Sequence, residues 1–441
     1  LSPPSRSGWA VSAALALACG IAYLANGREL GSYDTIPATL LPHAILRGEG
    51  PVLDRFASLI ENPDGSCPDY AERRSGHLVS RYPLAPAVLA LPLAAFQRLL
   101  WSLARPDWDR NPATEWVAAH AMAKNAAVVM AALTVLLLHR LLRPIARPFD
   151  AALATLAAGV GSPMWTTASQ ALWQHGPSAL ALTAALLALR TVPSSRLSPI
   201  AAGGCVGLLL AIRPADLALA APLGAWMAFR RSRQLPLFLL GTAVVLAPAL
   251  LYNVATFGTA GGGLSALESL HPERHAVPGS WSPNPLAGLA GTILSPSRGL
   301  FVFVPWTALA VVLSPWSLRE LRRHPPLLWG VLGLIPFTAM LSAYAVWWGG
   351  FCYGPRYWTE AVPLLAILLA AALDWTRARA PSIRVLILLT IAWSIALQAL
   401  GAWLYPSSWN LKPANVDTHH ERLWDWSDTE VTRMIHEKLI R

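Results

Sequence analysis

The sequence predicts an all-α polytopic membrane protein, a bundle of about 11–13 transmembrane helices. Three observations predict it. The 441 residues are 54% hydrophobic and only 13% charged, against roughly 25% charge in a soluble domain. The apolar residues come in solid runs from end to end (mean hydropathy +0.44), not in the alternation of a membrane barrel strand. Arginines gather in short clusters between the runs. A soluble globular enzyme, a disordered chain and a disulfide-stapled secreted domain are thereby excluded.

Twelve runs are candidate spans: 9–26, 82–100, 117–138, 149–165, 176–190, 199–213, 215–229, 235–255, 298–317, 326–345, 357–374 and 385–404. The first, behind Arg6, also has the look of a secretory signal, with a weak lipoprotein pattern at Ala18-Cys19-Gly20. The run continues through Ala25 and further spans follow, so it reads as an uncleaved first span. Several runs fall short of the ~20 residues that a full crossing needs. Short or proline-broken helices are accommodated where protein or a water-filled cavity surrounds them.

Orientation follows from arginine. Arg6, Arg140-Arg143-Arg147, Arg190 with Arg196, Arg230-Arg231-Arg233, Arg319-Arg322-Arg323 and Arg377-Arg379-Arg384 mark six basic junctions, which belong on the cytoplasmic side. Residues 27–80, 166–175, 256–297, 346–356 and 405–441 then lie outside. The run 82–100 breaks the alternation unless it is re-entrant or has a partner span within 101–116. Two regions result: a transmembrane unit over 1–404 with long external loops 27–80 and 256–297, and a tail over 405–441. The tail, with Trp409, Trp424 and Trp426 following Trp403, reads as an amphipathic segment along the outer membrane face.

The formal charge of +10 comes with no basic face interleaved with aromatics, so no nucleic-acid partner is expected. Cys19 and Cys205 sit in apolar runs and read as packing residues. Cys67 and Cys352 lie in polar loops, where an oxidising compartment would allow them to pair. No Cys/His spacing suits zinc.

Ionisable groups at the edges of spans are costly and therefore candidates for function. Asp34, in Gly31-Ser32-Tyr33-Asp34-Thr35-Ile36-Pro37, suits two roles: a base for a hydroxyl nucleophile, or, with Thr35, the cap of a surface helix. The sequence leaves both open. Arg81 and Tyr82 enter the run 82–100 in Arg-Tyr-Pro-Leu-Ala-Pro, as a phosphate ligand and its neighbour or as interfacial anchors. Trp173, Gln174 and His175 open the span at 176 and suit sugar hydroxyls or a phosphate. Trp347-Trp348-Gly349-Gly350-Phe351-Cys352-Tyr353-Gly354-Pro355-Arg356-Tyr357-Trp358-Thr359-Glu360 joins glycines that admit close approach, tryptophans suited to sugar faces and a guanidinium fork suited to phosphate. Arg298 repeats the arginine–glycine pair in Ser295-Pro296-Ser297-Arg298-Gly299-Leu300. Arg213 and Asp216, around Pro214, neutralise each other. No Walker, Rossmann or nucleophile-elbow motif is present.

Taken in order, these segments resemble bacterial multi-spanning glycosyltransferases of the GT-C fold, close to the protein mannosyltransferase and aminoarabinose transferase superfamily. The resemblance covers most of the chain. It rests on the acid after the first span, Tyr-Pro-Leu-Ala-Pro, Trp-Gln-His-Gly, Ser-Pro-Ser-Arg-Gly-Leu-Phe-Val-Phe, and Trp-Trp-Gly-Gly followed by Tyr-Gly-Pro-Arg-Tyr. It implies a GT-C-like bundle whose first periplasmic loop carries juxtamembrane helices, in a bacterial plasma membrane with the active site facing outside. It implies a polyprenyl-phosphate sugar donor, a glycan, lipid or protein acceptor, and inversion at the anomeric carbon. The catalytic acid maps onto Asp34, followed here by Thr35 where the family often has a second acid. Arg356, with Arg81 or Arg298, would hold the donor phosphate. His175, Gln174, Trp173, Trp347, Trp348, Tyr353, Tyr82 and Glu360 would form the sugar and acceptor site. No metal or other cofactor is expected, because the acids do not cluster. The alternatives are a multi-span transporter or lipid flippase, which would show paired inverted halves and mid-membrane acids, and a non-catalytic scaffold of envelope assembly.

Overall fold

The computed structural model describes residues 6–191, 197–270 and 280–439. It is almost entirely helical, as the composition predicts. Among the described residues six helices are long and apolar enough to cross a membrane by length and composition, and four more are apolar but shorter.

The chain runs back and forth between two ends of one bundle. α1 (Arg6–Leu24) is antiparallel to α5 (Pro112–Leu142). Ser12, near the start of α1, meets His139 near the end of α5 at 2.7 Å, while Asn26 just past α1 meets Lys124. α6 (Pro148–Val160) and the wide turn 164–168 return the chain, and α7 (His175–Thr191), α8 (Leu197–Ile212), α9 (Leu217–Arg230) and α10 (Leu235–Phe257) alternate after it. α11 (Pro285–Leu294) leads into a broken pass, α12 (Leu300–Phe303), α13 (Trp306–Val312) and α14 (Ser314–Leu321). Pro305 and Pro315 stand at its breaks, because proline cannot donate to the helical ladder. α15 (Pro325–Leu332) with α16 (Leu334–Ala343), α17 (Val362–Arg379) and α18 (Pro381–Leu404) complete the set. Counting the broken pass and the α15–α16 pair once each, the described chain makes eleven passes: α1, α5 to α10, α12–α14, α15–α16, α17 and α18.

All described arginine junctions fall at one end. Arg190 donates to the Leu141 carbonyl at 3.2 Å, Arg140 stacks on Trp9 at 4.3 Å, and Arg377 and Arg384 converge on buried Asp150 at 3.4 and 2.5 Å. Arg196 lies outside the described residues. Residues 166–175, 346–356 and the tail gather at the opposite end.

α4 (Ala85–Ala104) resolves the broken alternation. It has the length and apolarity of a span, yet both of its ends lie at the end of the bundle away from the arginine clusters. Its start follows Tyr82, which stands beside Asp34. Near its finish, Arg98 pairs with Asp109 and Glu115, which precede Lys124 on the chain. α4 is thus a juxtamembrane helix, and no partner span in 101–116 is needed. With α2 (Ile36–Leu46) and α3 (Ala57–Ile60) it encloses a small core of Leu40, Leu53, Phe56 and Leu78. One buried carboxylate joins these pieces: Glu115 accepts from Arg55 at 2.6 Å, Arg98 at 3.1 Å and Arg47. The loop also holds a hairpin absent from the all-helical reading, β1 (Ala71–Arg74) paired antiparallel with β2 (His77–Ser80). Its turn residues Ser75 and Gly76 both have positive φ, as the tightest hairpins require.

α8 and α10 touch backbone to backbone. A Cβ at Gly203 would run into the Phe238 carbonyl, and one at Gly241 into that of Ile200. Small residues are what permit such approach between membrane helices.

The tail is not one continuous helix. Pro406 and Pro413 interrupt it, and it folds as short turns followed by α19 (Glu430–Met434) and a wide helical turn over Ile435–Leu439. Trp409, Val416 and Leu423 are buried with Trp348 and Val346 in a core of their own, while Trp424 and Trp426 stay exposed. Cys67 and Cys352 are unpaired, the latter buried beside the 348–354 backbone.

Candidate active site

Asp34 and Arg356 line one cavity of about 420 Å³ at the end of the bundle away from the arginine clusters. Asp34 is not a cap. Thr35 takes the local bonds, accepting from the Ser32 amide at 3.3 Å and donating to its carbonyl at 2.8 Å, and Pro37 sits in the first turn of α2. The Asp34 carboxylate is left to face Arg356, whose Nη1 lies 2.9 Å from Oδ2. The guanidinium lies over Trp173 at 4.6 Å and Tyr357 at 5.2 Å. Gly349, at φ +78°, leaves room beside it, since a Cβ there would lie 3.3 Å from Arg356 Nε. That Nε is buried and has no hydrogen-bond partner. A cation held by ring faces, with an unused donor beside a cavity, is suited to receive an anion.

Tyr82 lies beside Asp34, within hydrogen-bonding reach of its carboxylate. Burial, and after it the Asp34 carboxylate, push its phenol well above the ordinary value. Trp173, Gln174 and His175 all line the cavity, and the Trp173 indole is anchored by donating to the Leu30 carbonyl at 3.0 Å.

Glu360 stands behind the wall, fully buried. It pairs with Arg213 and with His175 at 2.8 Å. It positions these two groups and is not itself a lining residue. Arg213, which was expected to be neutralised by Asp216, is instead a second cavity-lining cation, with its guanidinium over Tyr357 at 5.2 Å. The nearby Asp216 in the sequence hid it, because the partner that matters is supplied by a distant segment.

Five more expected residues lie elsewhere. Arg81 pairs with Glu72 at 2.9 Å and lines a separate small groove with Leu250 and Phe257. Arg298 is buried and saturated: it donates to the Trp348 carbonyl at 2.9 Å and to Asn410 Oδ1 at 2.9 Å, and it pairs with Glu430. Tyr353 donates to the Leu397 carbonyl at 2.7 Å, edge-on to Phe303. Trp347 packs over Gly291, and Trp348 gives its indole N–H to Asp417 at 2.8 Å, so neither tryptophan lines the cavity. Arg298, Tyr353 and Trp348 hold the wall from behind. Tyr33, Asp69, Tyr70, Tyr344, Phe351 and Asp417 line it and were not anticipated. Among the described residues no group of three His, Cys, Asp or Glu side chains could hold a metal ion.

No protein-family model matches the sequence, and no curated protein matches it. Solved structures do match. An oligosaccharyltransferase of Archaeoglobus fulgidus, tethered to an acceptor peptide containing the NVT sequon, gives a TM-score of 0.55 at 12% identity over 96% of this chain and 60% of that one. The oligosaccharyltransferase AglB of the same organism, in complex with an inhibitory peptide and a dolichol-phosphate, gives 0.52 at 12% identity with the same coverage. ArnT from Cupriavidus metallidurans bound to undecaprenyl phosphate gives 0.49 at 16% identity, over 91% of this chain and 76% of that one. The chain thus spans 60% of the length of the archaeal oligosaccharyltransferases it matches. It shares their fold, the GT-C-like membrane bundle that the sequence resemblance implies.

Proposed function

We propose that the protein is an integral membrane glycosyltransferase that moves a sugar from a polyprenyl-phosphate donor to an acceptor hydroxyl, with inversion and with Asp34 as general base. The observation that carries this reading is the Asp34–Arg356 pair at 2.9 Å in one cavity. Positive-inside logic puts the arginine-rich end in the cytoplasm and the cavity outside, in the plasma membrane of a bacterium. Nucleotide sugars are cytoplasmic, so an external donor must be membrane-borne. The archaeal neighbour AglB is in complex with a dolichol-phosphate, which is the class of donor carrier proposed.

The reaction uses the two charges in turn. The donor phosphate displaces Asp34 from Arg356, whose Nε has a hydrogen bond to give. The freed carboxylate takes the proton of the acceptor hydroxyl. The acceptor oxygen bonds to the anomeric carbon as the bond from that carbon to the phosphate oxygen breaks. The charge on the departing polyprenyl phosphate is stabilised by Arg356, aimed in advance by Trp173 and Tyr357. Gln174, His175 and Tyr82 stand where they can orient the sugar. None of these residue steps calls for a bound metal.

The test is reconstitution in sealed vesicles with a labelled polyprenyl-phosphate sugar. The expected outcome is release of free polyprenyl phosphate together with a glycosylated acceptor from an envelope extract. Movement of the lipid between leaflets without loss of its sugar would establish the flippase instead.

A further inference from the structure

The Asp34 carboxylate has two holders. Arg356 Nη1 lies 2.9 Å from Oδ2, and the Tyr82 phenol is within hydrogen-bonding reach of the same carboxylate. The proposed reaction removes the first holder, because the donor phosphate takes Arg356 before Asp34 takes a proton. A carboxylate released from its ion pair is free to rotate, and a reacting group misplaced by about 1 Å can lose about a hundredfold in rate. The second holder stays, because a neutral phenol offers the phosphate no ion pair.

Tyr82 is itself fixed at its backbone and at its ring. Buried Ser80, the last residue of β2, clasps it from both sides: its Oγ accepts from the Tyr82 amide at 3.0 Å and donates to the Tyr82 carbonyl at 3.0 Å. Pro83 restricts the same residue to extended backbone. The Arg81 amide donates to the Tyr70 carbonyl at 2.9 Å, and the Tyr70 ring packs on that of Tyr33, the neighbour of Asp34, at 5.6 Å between centroids. Tyr70 thus sets the segment of Tyr82 against the segment of Asp34. The Tyr82 ring packs on the small core of the first loop and lines both the cavity and the groove beside it. A side chain locked in this way can hold a second one in a productive geometry.

The chemistry of the phenol limits what else it can do. A tyrosine has one proton to give. Burial and the Asp34 carboxylate both keep that proton on the oxygen. Given to Asp34, it leaves only the oxygen lone pairs for a sugar. A hydrogen bond of this kind to a carboxylate is short and strong, and it ties one carboxylate oxygen while the other remains free to take a proton.

We propose that Tyr82 is a positioning residue whose phenol keeps the Asp34 carboxylate aimed at the acceptor hydroxyl after the donor phosphate has taken Arg356. The role rests on the glycosyltransferase reading and adds to it the group that holds the base in place during the reaction.

The test is Tyr82→Phe in the full chain, reconstituted with a labelled polyprenyl-phosphate sugar and an acceptor from an envelope extract. Above the acid limb of the pH profile, kcat is expected to fall roughly ten- to a hundredfold, the worth of a hydrogen bond to a charged group. KM for the donor is expected to stay unchanged. The acid limb is expected to move to higher pH, because a carboxylate that loses a hydrogen-bond donor keeps its proton longer. Arg356, Tyr357 and Cys352 act on the same charge, and Arg213, His175 and Asp69 line the same cavity. All of them remain in the variant, so the movement of the limb reports the phenol. The melting temperature and the binding of undecaprenyl phosphate are expected to match the wild type. A raised KM with an unmoved limb would make Tyr82 a sugar ligand, and a lowered melting temperature with an unmoved limb would make it structural; either overturns the proposal. A variant that transfers like an active wild type removes the role of Tyr82 alone. A wild type that transfers no sugar removes the glycosyltransferase reading, and this role with it.

Discussion

Arg356 Nη1 lies 2.9 Å from Asp34 Oδ2, joining the start of α2 to the segment that enters α17. Two segments far apart in sequence meet across a single ion pair at a cavity. On the proposed mechanism the donor phosphate must take Arg356 before the Asp34 carboxylate is free to reach an acceptor hydroxyl.

Asp34→Asn keeps the size of the side chain but cannot accept a proton. Loss of a general base typically costs about 10²- to 10⁴-fold. Transfer in reconstituted vesicles is expected to fall by that order while binding of undecaprenyl phosphate is retained. A variant that transfers at the wild-type rate would remove Asp34 from the chemistry.

Arg356→Lys keeps the charge and loses the flat, forked group that Trp173 and Tyr357 hold. A hydrogen bond to a charged group is worth about 1.5–3 kcal/mol, so kcat/KM for the donor should fall roughly ten- to a hundredfold. The check is donor saturation kinetics, with the acceptor held constant.

Glu360→Gln removes the charge shared by Arg213 and His175 in a fully buried place. Removing one partner of a buried pair typically costs about 3–5 kcal/mol, so the melting temperature should drop clearly. The double variant Glu360→Gln, Arg213→Met should recover part of that loss, since the guanidinium is no longer stranded, but not all of it, because buried Asp216 then loses its nearby cation. Activity should not return with it.

His43, buried in α2, gives a pH prediction. Burial first, then the Arg98 and Arg47 guanidiniums, hold its pKa down to about 3, and its Nδ1 lies 3.0 Å from Arg98 Nη1. In the unfolded chain the ring titrates near 6.5. Between these values the unfolded state binds the extra proton, so the stability from the neutral ring is complete above about pH 6.5 and is lost as pH falls. Linkage gives about 1–2 kcal/mol between pH 6.5 and 5. Thermal unfolding of the wild type should show this slope, and His43→Gln should flatten it.

Gly203→Leu tests the α8–α10 contact. Its side chain has no space against the Phe238 carbonyl, so the two helices must separate. Lower thermal stability is expected, with a smaller loss for substitution at Gly224, where a Cβ meets nothing within 4 Å.

The helices were legible because each carries its own signal. The arginine junctions sort the described bundle into two ends without any tertiary information, and Asp34 stood out as the acid after the first span. What the sequence could not convey was partnership. Arg298 and Arg356 look alike, each a lone arginine beside glycine, yet one is saturated by Glu430 and backbone carbonyls while the other faces a cavity. Arg213 was hidden by the aspartate three residues away. The tail was legible only in part, because tryptophans spaced along a polar segment suit a membrane surface as well as a private core. Only its fold shows that Trp409 is buried while Trp426 is not.

α4 settles a question of parity. A helix apolar enough to be counted as a crossing, yet with both ends on one side, leaves the number of traverses odd. Every downstream segment inherits its side of the bilayer from that one detour. Were α4 pushed through the membrane, Arg213, Arg356 and Asp417 would arrive on the face opposite Asp34, and the same side chains would never meet.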